Sequence, residues 1–565
     1  MSEENKKTPP KIKLNQRWSM LETERAPWFA QWRDISKLLL PMSGRYFHQD
    51  RNKGQRRYNN IYDSTGTRAL RILGAGMMSG ATSPARPWFR LGTGDPALNA
   101  YQPVRVWLDD VSTRMQGVFQ KSNTYRALHS MYEELGAFGT ATSLVLPDAK
   151  NIIHHYPYTA GEYCIATNYQ GRVVTCYREF DKTIGEIVRE FGLDKCSQAI
   201  KTQWEKGNYD KWWTLIHAVE PRYDRDHSKI DAKNMAWGSY VYEAGSNQEK
   251  FLRESGFNQY PGLSPRWAVN GGDVYGSGPG AEVLGDISQL QHEQLRKAQG
   301  IDYQTNPPLQ VPSSMKYREV DRLPGGITYI EGQNQKIESL YAVNIPLRDL
   351  GMDIVDVRQR ISAGFYADLF MMIANGTDTT KTATEIAERH EEKLLMLGPV
   401  LERLDNELNN PLIEMTFDIM LRAGKIPPAP KEMQGMELQV EFISVLAQAQ
   451  KAIGTNSIDR FVSGLGYVAQ MKPEVLDKFD GDAWVDVYSD KYGIDPKLIV
   501  PGDQVAMIRK ARNDAQQAQA QQAAMQQQAE TAKSLAQSPT GTNTNALMDV
   551  MNQYSGYNSP SAVEA

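Results

Sequence analysis

The sequence predicts an α+β protein that is mainly helical. Apolar residues recur at helical spacing before residue 136 and again beyond 279, while short β-type runs crowd the stretch from 142 to 244. That middle stretch reads as a meander of antiparallel strands with inserted helices. At about 150 residues per domain, 565 residues suggest three or four domains or one large multi-part fold.

The elements follow in order. Residues 1–13 are polar, lysine-rich and expected to be loose. Trp18, Leu21, Trp28, Trp32, Ile35 and Leu39 then mark an amphipathic helical segment with an aromatic core stripe. Pro27 is expected to interrupt it, because proline lacks an N–H and clashes with the preceding turn. Residues 43–60, "SGRYFHQDRNKGQRRYNN", form a basic loop, read as solvated or as lying at a subunit seam. A helix over 64–80 precedes "RPWFRL", and the pattern Val106, Leu108, Val111, Met115, Val118 predicts helix again from 103 to 136.

The β-type runs are "TSLVLP", "NIIHHYPY", "EYCIAT" and "GRVVTCYREF", with further runs at 211–219 and 234–244. Thr183 with Glu186 forms a capping box that opens a short helix between them. Pro279 suits the first position of a helix running to about 300, whose apolar stripe is Leu284, Ile287, Leu290, Leu295 and Ala298. Residues 301–343 are short and β-like, and a helix over about 345–370 follows. The loop "NGTDTTKT" (375–382) separates it from a longer helix that stops at Gly424 and the prolines after it. In that helix Leu394, Leu397, Leu401, Leu404, Leu408 and Met415 form a coiled-coil-like seam, with kinks expected at Gly398-Pro399 and Pro411. A strand at 437–443 and helical segments to 515 come next. The Ala/Gln-rich run after 514 is helix-competent, and the tail from 537 is expected to be disordered.

Composition narrows the class. The 63 basic and 67 acidic residues nearly balance, which argues against simple wrapping of nucleic acid, although residues 1–60 hold 13 basic and 6 acidic residues. Cys164, Cys176 and Cys196 have no CxxC spacing and no even count, so neither a zinc site nor a disulfide framework is indicated. The opening "MSEENKKTPP" has no apolar core and predicts no signal peptide, and no apolar run is long enough for a bilayer span. A soluble intracellular product is the expectation.

Candidate chemistry fails on spacing. A phosphate-cradling loop needs glycine before Lys381, where Thr380 stands, and no β-type run precedes it. Gly276-x-Gly278-x-x-Ala281 imitates a dinucleotide fingerprint, but Pro279 removes a phosphate-facing N–H and alternating strand–helix organisation is lacking. On a strand, His154 and His155 point to opposite faces, so at most one could serve a given metal site. His390-Glu391 begins a zincin motif, but Leu394 occupies the place of the second histidine. No catalytic constellation stands out, which favours an architectural role over an enzyme.

Three separated segments, "YDSTGTRALRILGAGMMSGATSPARPWFRL" (62–91), "YGSGPGAEVLGDISQLQHEQLRKAQGIDYQTNPPLQV" (275–311) and "LGPVLERLDNELNNPLIEMTFDIMLRAGKIPPAP" (397–430), together resemble the head-to-tail connector, or portal, proteins of short-tailed (podovirus-type) bacteriophages. The resemblance runs in the same order from about residue 15 to about 520. It implies a portal-type fold with α/β wing, helical stem, small β-containing clip, helical crown and a candidate C-terminal barrel helix.

Segment by segment, the resemblance makes 1–278 the N-terminal region and wing, 279–300 the first stem helix, 301–343 the clip and 344–370 the second stem helix. It makes 371–383 the channel loop, 384–423 a long kinked wing helix, 424–515 the crown, 516–536 a barrel helix and 537–565 a disordered tail. The residues it places at the channel are Asn375, Gly376, Thr377, Thr379, Thr380 and Lys381. The implied function is a ring of twelve copies at one capsid vertex, a non-sequence-specific channel for double-stranded DNA in packaging and ejection. The implied partners are the terminase large subunit, a tail adaptor, and capsid and scaffold proteins, with no membrane and no cofactor. The implied location is the virion, assembled in the host cytoplasm. The alternatives are another virion structural or ejection protein, or a nucleotide-binding enzyme.

Overall fold

The computed structural model describes residues 10–46, 60–95, 98–99, 101–229, 231–245, 251–317, 320–321, 327–329, 336–340, 346–375, 395–433, 435–436, 438–453, 456–492, 500, 502–537 and 546–555. The chain divides into two compact units, residues 1–479 and 480–565. Among the described residues, the larger unit mixes helices with four antiparallel sheets, in keeping with the α+β expectation.

Helix α1 (Pro10–Leu38) runs through Pro27 without the expected interruption. An interior proline costs about 3 kcal/mol, and tertiary anchoring on both sides offsets it. Arg25 donates to the carbonyls of Gly161 and Tyr163 at 3.0 and 2.8 Å, and the Trp32 indole N–H donates to the Phe138 carbonyl at 3.2 Å. Trp32, Ile35 and Leu39 are wholly buried.

Helix α2 (Thr65–Ala81) is the axis of the main core, with Leu70, Leu73 and Met77 fully buried. The expected helical stretch from 103 to 136 is two helices, α3 (Gln102–Lys121) and α4 (Thr124–Phe138). The core also takes in strand β1 (Phe89–Thr93), which pairs with a strand from far along the chain, Leu438–Phe442.

The meander forms two sheets. Strands β2 (Thr142–Asp148) and β3 (Ile152–Tyr158) pair in one, with β3 at its outer edge. Strands β4 (Tyr163–Thr167), β5 (Val173–Thr183), β6 (Trp212–Pro221), β7 (Trp237–Glu243) and β8 (Arg253–Phe257) form the other, in sequential antiparallel order. Strand alternation buries His155 and leaves His154 half-exposed, as the period of two requires. The capping box is present: Thr183 Oγ1 accepts from the Glu186 amide at 3.3 Å and Glu186 accepts from the Thr183 amide at 3.2 Å, opening α5 (Ile184–Phe191). A short helix α6 (Gln198–Glu205) completes this layer.

Beyond 279 the chain makes one turn, α7 (Pro279–Glu282), and then α8 (Leu284–Thr305). Helix α9 (Leu347–Gly364) lies against α8, and α10 (Ala367–Asn375) against α2. Between α8 and α9 the described pairing is a two-stranded ladder, Leu309–Gln310 with Glu338–Ser339.

The long helix after 394 is broken by a π-turn, Asp405–Asn409, ahead of α11 (Asn410–Arg422). Pro411 has no N–H to donate back to the preceding turn, and one extra residue per turn accommodates that gap. Leu397, Leu401, Leu404, Leu408 and Met415 are buried as their spacing predicts. Helix α11, which carries Met415, packs on β2, β3 and α3. Helix α12 (Val445–Ile453) returns to α2 and buries Val445, Leu446 and Ala449, and α13 (Asn456–Met471) follows.

In the smaller unit, α14 (Gly481–Tyr492) is tied to α15 (Gly502–Gln537) by Arg509, which donates to both carboxylate oxygens of Asp482 at 2.5 and 2.7 Å. Helix α15 covers the Ala/Gln-rich run. A further helix, α16 (Ala546–Ser555), stands where the sequence predicted a disordered tail, and it lies against α15.

Candidate functional site

Of the residues expected to line a channel, Asn375 is the last residue of α10. Gly376, Thr377, Thr379, Thr380 and Lys381 lie outside the described residues, as do His390, Glu391 and most of the basic loop. What the structure supplies is the frame that delivers the chain to that point.

The frame begins with a bend. Helix α9 ends at Gly364, and Tyr366 takes a left-handed conformation with φ +52°, uncommon for a bulky residue. Buried Phe365 and Phe370 flank the bend, and the Phe370 amide donates to the Tyr366 carbonyl at 3.1 Å to start the next helix. Gly76 of α2 faces Phe370, and a Cβ there would lie 2.5 Å from the ring. The missing side chain lets α10 lie directly on the core axis.

At the start of α2, one buried carboxylate joins both expected stem helices. Asp63 Oδ2 accepts from Arg358 Nε and Nη2 at 3.0 and 2.7 Å, and from Gln294 Nε2 at 3.0 Å. Its Oδ1 accepts from the Thr65 amide at 2.9 Å and the Thr65 hydroxyl at 2.5 Å. Gln291 closes the group: its Oε1 accepts from the Tyr62 and Asp63 amides at 2.6 and 2.8 Å, and its Nε2 donates to the Asp63 carbonyl at 2.9 Å. Burial alone would raise the Asp63 pKa. The Thr65 bonds and Arg358 outweigh it and hold the carboxyl below its ordinary 3.8. The result fixes α8 and α9 against α2 by charge-assisted bonds from long side chains, leaving little apolar surface buried on the stem itself. Farther out, Arg360 reaches Asp286 at 3.4 Å and Asp356 at 3.6 Å; both contacts are half-exposed and contribute about 0–1 kcal/mol.

A second clamp sits at the π-turn. Glu407 accepts from the Arg266 amide at 2.9 Å, from its Nε at 3.2 Å and from its Nη2 at 2.6 Å. Arg266 also donates to the carbonyls of Gly171 and Val274 at 2.6 and 3.2 Å. Its side chain is 3% exposed, and Nε, Nη1 and Nη2 each have at least one acceptor. The wider turn re-aims Glu407 at this arginine, joining the long helix to the β4–β5 turn. Asp405, in the same turn, is pushed up to about 6 by burial, against a bond from Asn409.

The glycines of "YGSGPG" have a packing role. Gly276, Gly278 and Gly280 face the backbone of Ala137 and Gly139 at the end of α4. A Cβ on Gly280 would lie 2.9 Å from Ala137 Cα, and one on Gly278 would lie 2.9 Å from Gly139 Cα. The apparent dinucleotide fingerprint is a seam where two backbones meet, launching α8 from the end of α4.

A buried carboxylate also stands apart from the stem. Glu134 accepts from the Thr159 hydroxyl at 2.7 Å and the Ala160 amide at 3.1 Å. Burial raises its pKa to about 7, these donors working the other way and nearby Glu162 adding to the rise. Among the described residues, no group of three or more His, Cys, Asp or Glu side chains is placed to hold a metal ion. No helix among them is long and apolar enough to cross a membrane.

Sequence reasoning passed over Asp63, Gln291, Arg358, Arg266 and Glu407. Only Asp63 carried a local signal: Asp-Ser-Thr ahead of an apolar helical run is a helix-start pattern. The others are ordinary polar residues until the fold brings together positions more than a hundred residues apart.

Residues 11–500 match the family described as bacteriophage head to tail connecting protein. The chain is 58% identical over 546 residues to a probable portal protein of Bordetella phage BPP-1, covering 96% of this chain and 98% of that one. It is 45% identical over 548 residues to a portal protein of Salmonella phage epsilon15, again covering 96% and 98%.

Proposed function

The chain belongs to the bacteriophage head-to-tail connecting protein family and serves as a phage portal; from that premise we propose how the chain does so. Twelve copies form a closed ring at one capsid vertex and enclose a passage through which double-stranded DNA is packaged and ejected. Helices α8 and α9 are the stem, the segment 301–343 the clip, and the chain beyond Asn375 enters the channel loop. The part before 279 is the wing, 424–515 the crown, and the Ala/Gln-rich helix a barrel element.

One observation carries this reading. The stem pair buries only a narrow stripe, with Ile287 and Leu290 on α8 and Ile354, Val357 and Ile361 on α9. Its remaining faces are exposed and include the apolar pair Met352 and Val355, 65% and 49% exposed, one turn apart. A neighbouring copy in a ring would cover such a face, because heterologous contacts that close on themselves give each helix a partner outside its own chain. A channel that lets DNA slide must avoid a dense cationic lining, since each neutralised phosphate adds affinity and salt dependence. A single lysine, Lys381, in the channel segment suits transient contact.

The terminase large subunit and a tail adaptor would dock on the clip, where Tyr317, Ile327 and Tyr329 are 93%, 73% and 81% exposed. Capsid and scaffold proteins would meet the wing, and the finished ring would be part of the virion. Negative-stain images of the purified chain are expected to show rings with a central hole. Deleting 375–380 should leave the rings intact and lower DNA packaging or retention. Absence of rings sinks the portal architecture, and loss of rings on deletion sinks the channel-loop assignment.

A further inference from the structure

Residues 39–46 leave α1 as a strap without helix or strand and cross the turn 159–162 that precedes β4. The strap is zipped to that turn. The Gly44 amide donates to Thr159 Oγ1 at 2.7 Å, and the Arg45 amide donates to the Ala160 carbonyl at 2.9 Å. The fit is close: a Cβ on Gly161, where φ is +88°, would lie 3.0 Å from the Arg45 carbonyl carbon. Glu134 lies at this junction, 7% exposed. Thr159 serves two carboxylates at once, its hydroxyl donating to Glu134 at 2.7 Å and its amide to Glu162 at 3.4 Å. The two acids have one cation between them. Arg178 donates to Glu162 from Nε and Nη2 at 2.9 and 2.7 Å, and among the described residues no lysine or arginine pairs with Glu134.

We propose that Glu134 is a proton-operated latch for this strap: protonated, it keeps residues 43–45 closed on the turn 159–162, and ionised, it releases them. A buried carboxyl with no cation of its own, beside a second carboxylate, favours its neutral form. Burial accordingly raises the Glu134 pKa to about 7, with bonds from Thr159, Ala160 and Ser43 opposing the rise and Glu162 adding to it. The surrounding charges offer the ionised form no relief. Glu162 faces it from the turn and Tyr163 from β4. Arg25 of α1 is committed to the carbonyls of Gly161 and Tyr163, and Arg45 of the strap to Asp181 and the Glu179 carbonyl. Ionised Glu134 therefore gains by reaching water, and local opening takes the least secured cover. Leu135 beside it and Tyr163 on β4 are fixed in the core, whereas the strap has no helix or ladder bonds to lose. Because the closed state holds the proton more tightly than an open one, closure is complete below pH 4.5 and weakens as pH rises through 7.

The test is amide hydrogen exchange of the full chain followed by mass spectrometry, corrected for the intrinsic pH dependence of exchange. A midpoint near pH 7 predicts that protection of peptides covering 40–46 falls about tenfold between pH 6 and pH 8, while peptides from α2 hold theirs. Glu134→Gln, a neutral isostere, should keep the strap protected at both pH values. Glu162→Gln tests the same latch without touching Glu134: it removes the like charge and frees Arg178, so the midpoint should move to lower pH. Four results would each overturn the proposal: strap protection that ignores pH, equal loss in α2, a pH response that survives Glu134→Gln, or a loss that appears only with a change in sedimentation coefficient. The last would assign the change to contacts between copies.

Discussion

Asp63 shows what a single residue can settle. Its side chain is 6% exposed and accepts from α8, from α9 and from the first turn of its own helix. Asp63→Asn keeps the shape but turns one acceptor into a donor facing Arg358. We expect a loss of about 1–3 kcal/mol, read as a lower Tm with unchanged far-UV circular dichroism. Glu134 is the opposite case, a carboxyl whose folded pKa of about 7 exceeds its ordinary 4.5. The folded protein therefore holds that proton more tightly than the unfolded chain. This group's contribution to stability is complete below pH 4.5 and is lost as pH rises through 7, an effect on the order of 3 kcal/mol. Glu134→Gln should flatten that segment of the stability–pH profile; an unchanged slope would assign it to other groups, Asp405 among them.

Elements were legible where one local signal decided them. The capping box at Thr183–Glu186, the strand alternation at His154–His155 and the helix from Pro279 all follow from short-range chemistry. Where tertiary contact competes with a local rule, the local rule loses. Pro27 sits inside a 29-residue helix because Arg25 and Trp32 anchor it. Helix α11, at the end of the leucine-rich stretch, meets strands as well as a helix, because apolar spacing specifies a face and not the identity of what covers it. The glycine seam makes the same point in reverse. Gly280→Ala places a methyl against the Ala137 backbone, which has no flexible end to move aside. A cost of about 1–3 kcal/mol is expected, checked by denaturant midpoint at constant m-value. Tolerance of alanine there would mean that α7 can shift relative to α4.

For the whole molecule, the proposed ring assigns the exposed pair Met352 and Val355 on α9 to a contact with a neighbouring copy. Met352→Glu with Val355→Glu should leave the secondary structure and Tm of the chain near those of the parent while preventing ring formation. Sedimentation velocity checks this, and rings from the double variant would place the subunit contact on another face.

The sequence by itself determined the α+β class, the order of the principal elements and, through three ordered segments, the family. Each of those rests on periodicity, capping or motif order, which are properties of neighbouring residues. Only the tertiary structure decided which polar residues matter. Asp63 meets Arg358 across 295 positions and Arg266 meets Glu407 across 141, and both pairings arise from packing rather than spacing. It also decided that "YGSGPG" is a close backbone contact. Pro279 already spoke against a phosphate there, but a missing Cβ carries no sign of which backbone will fill the space until the fold brings one to it.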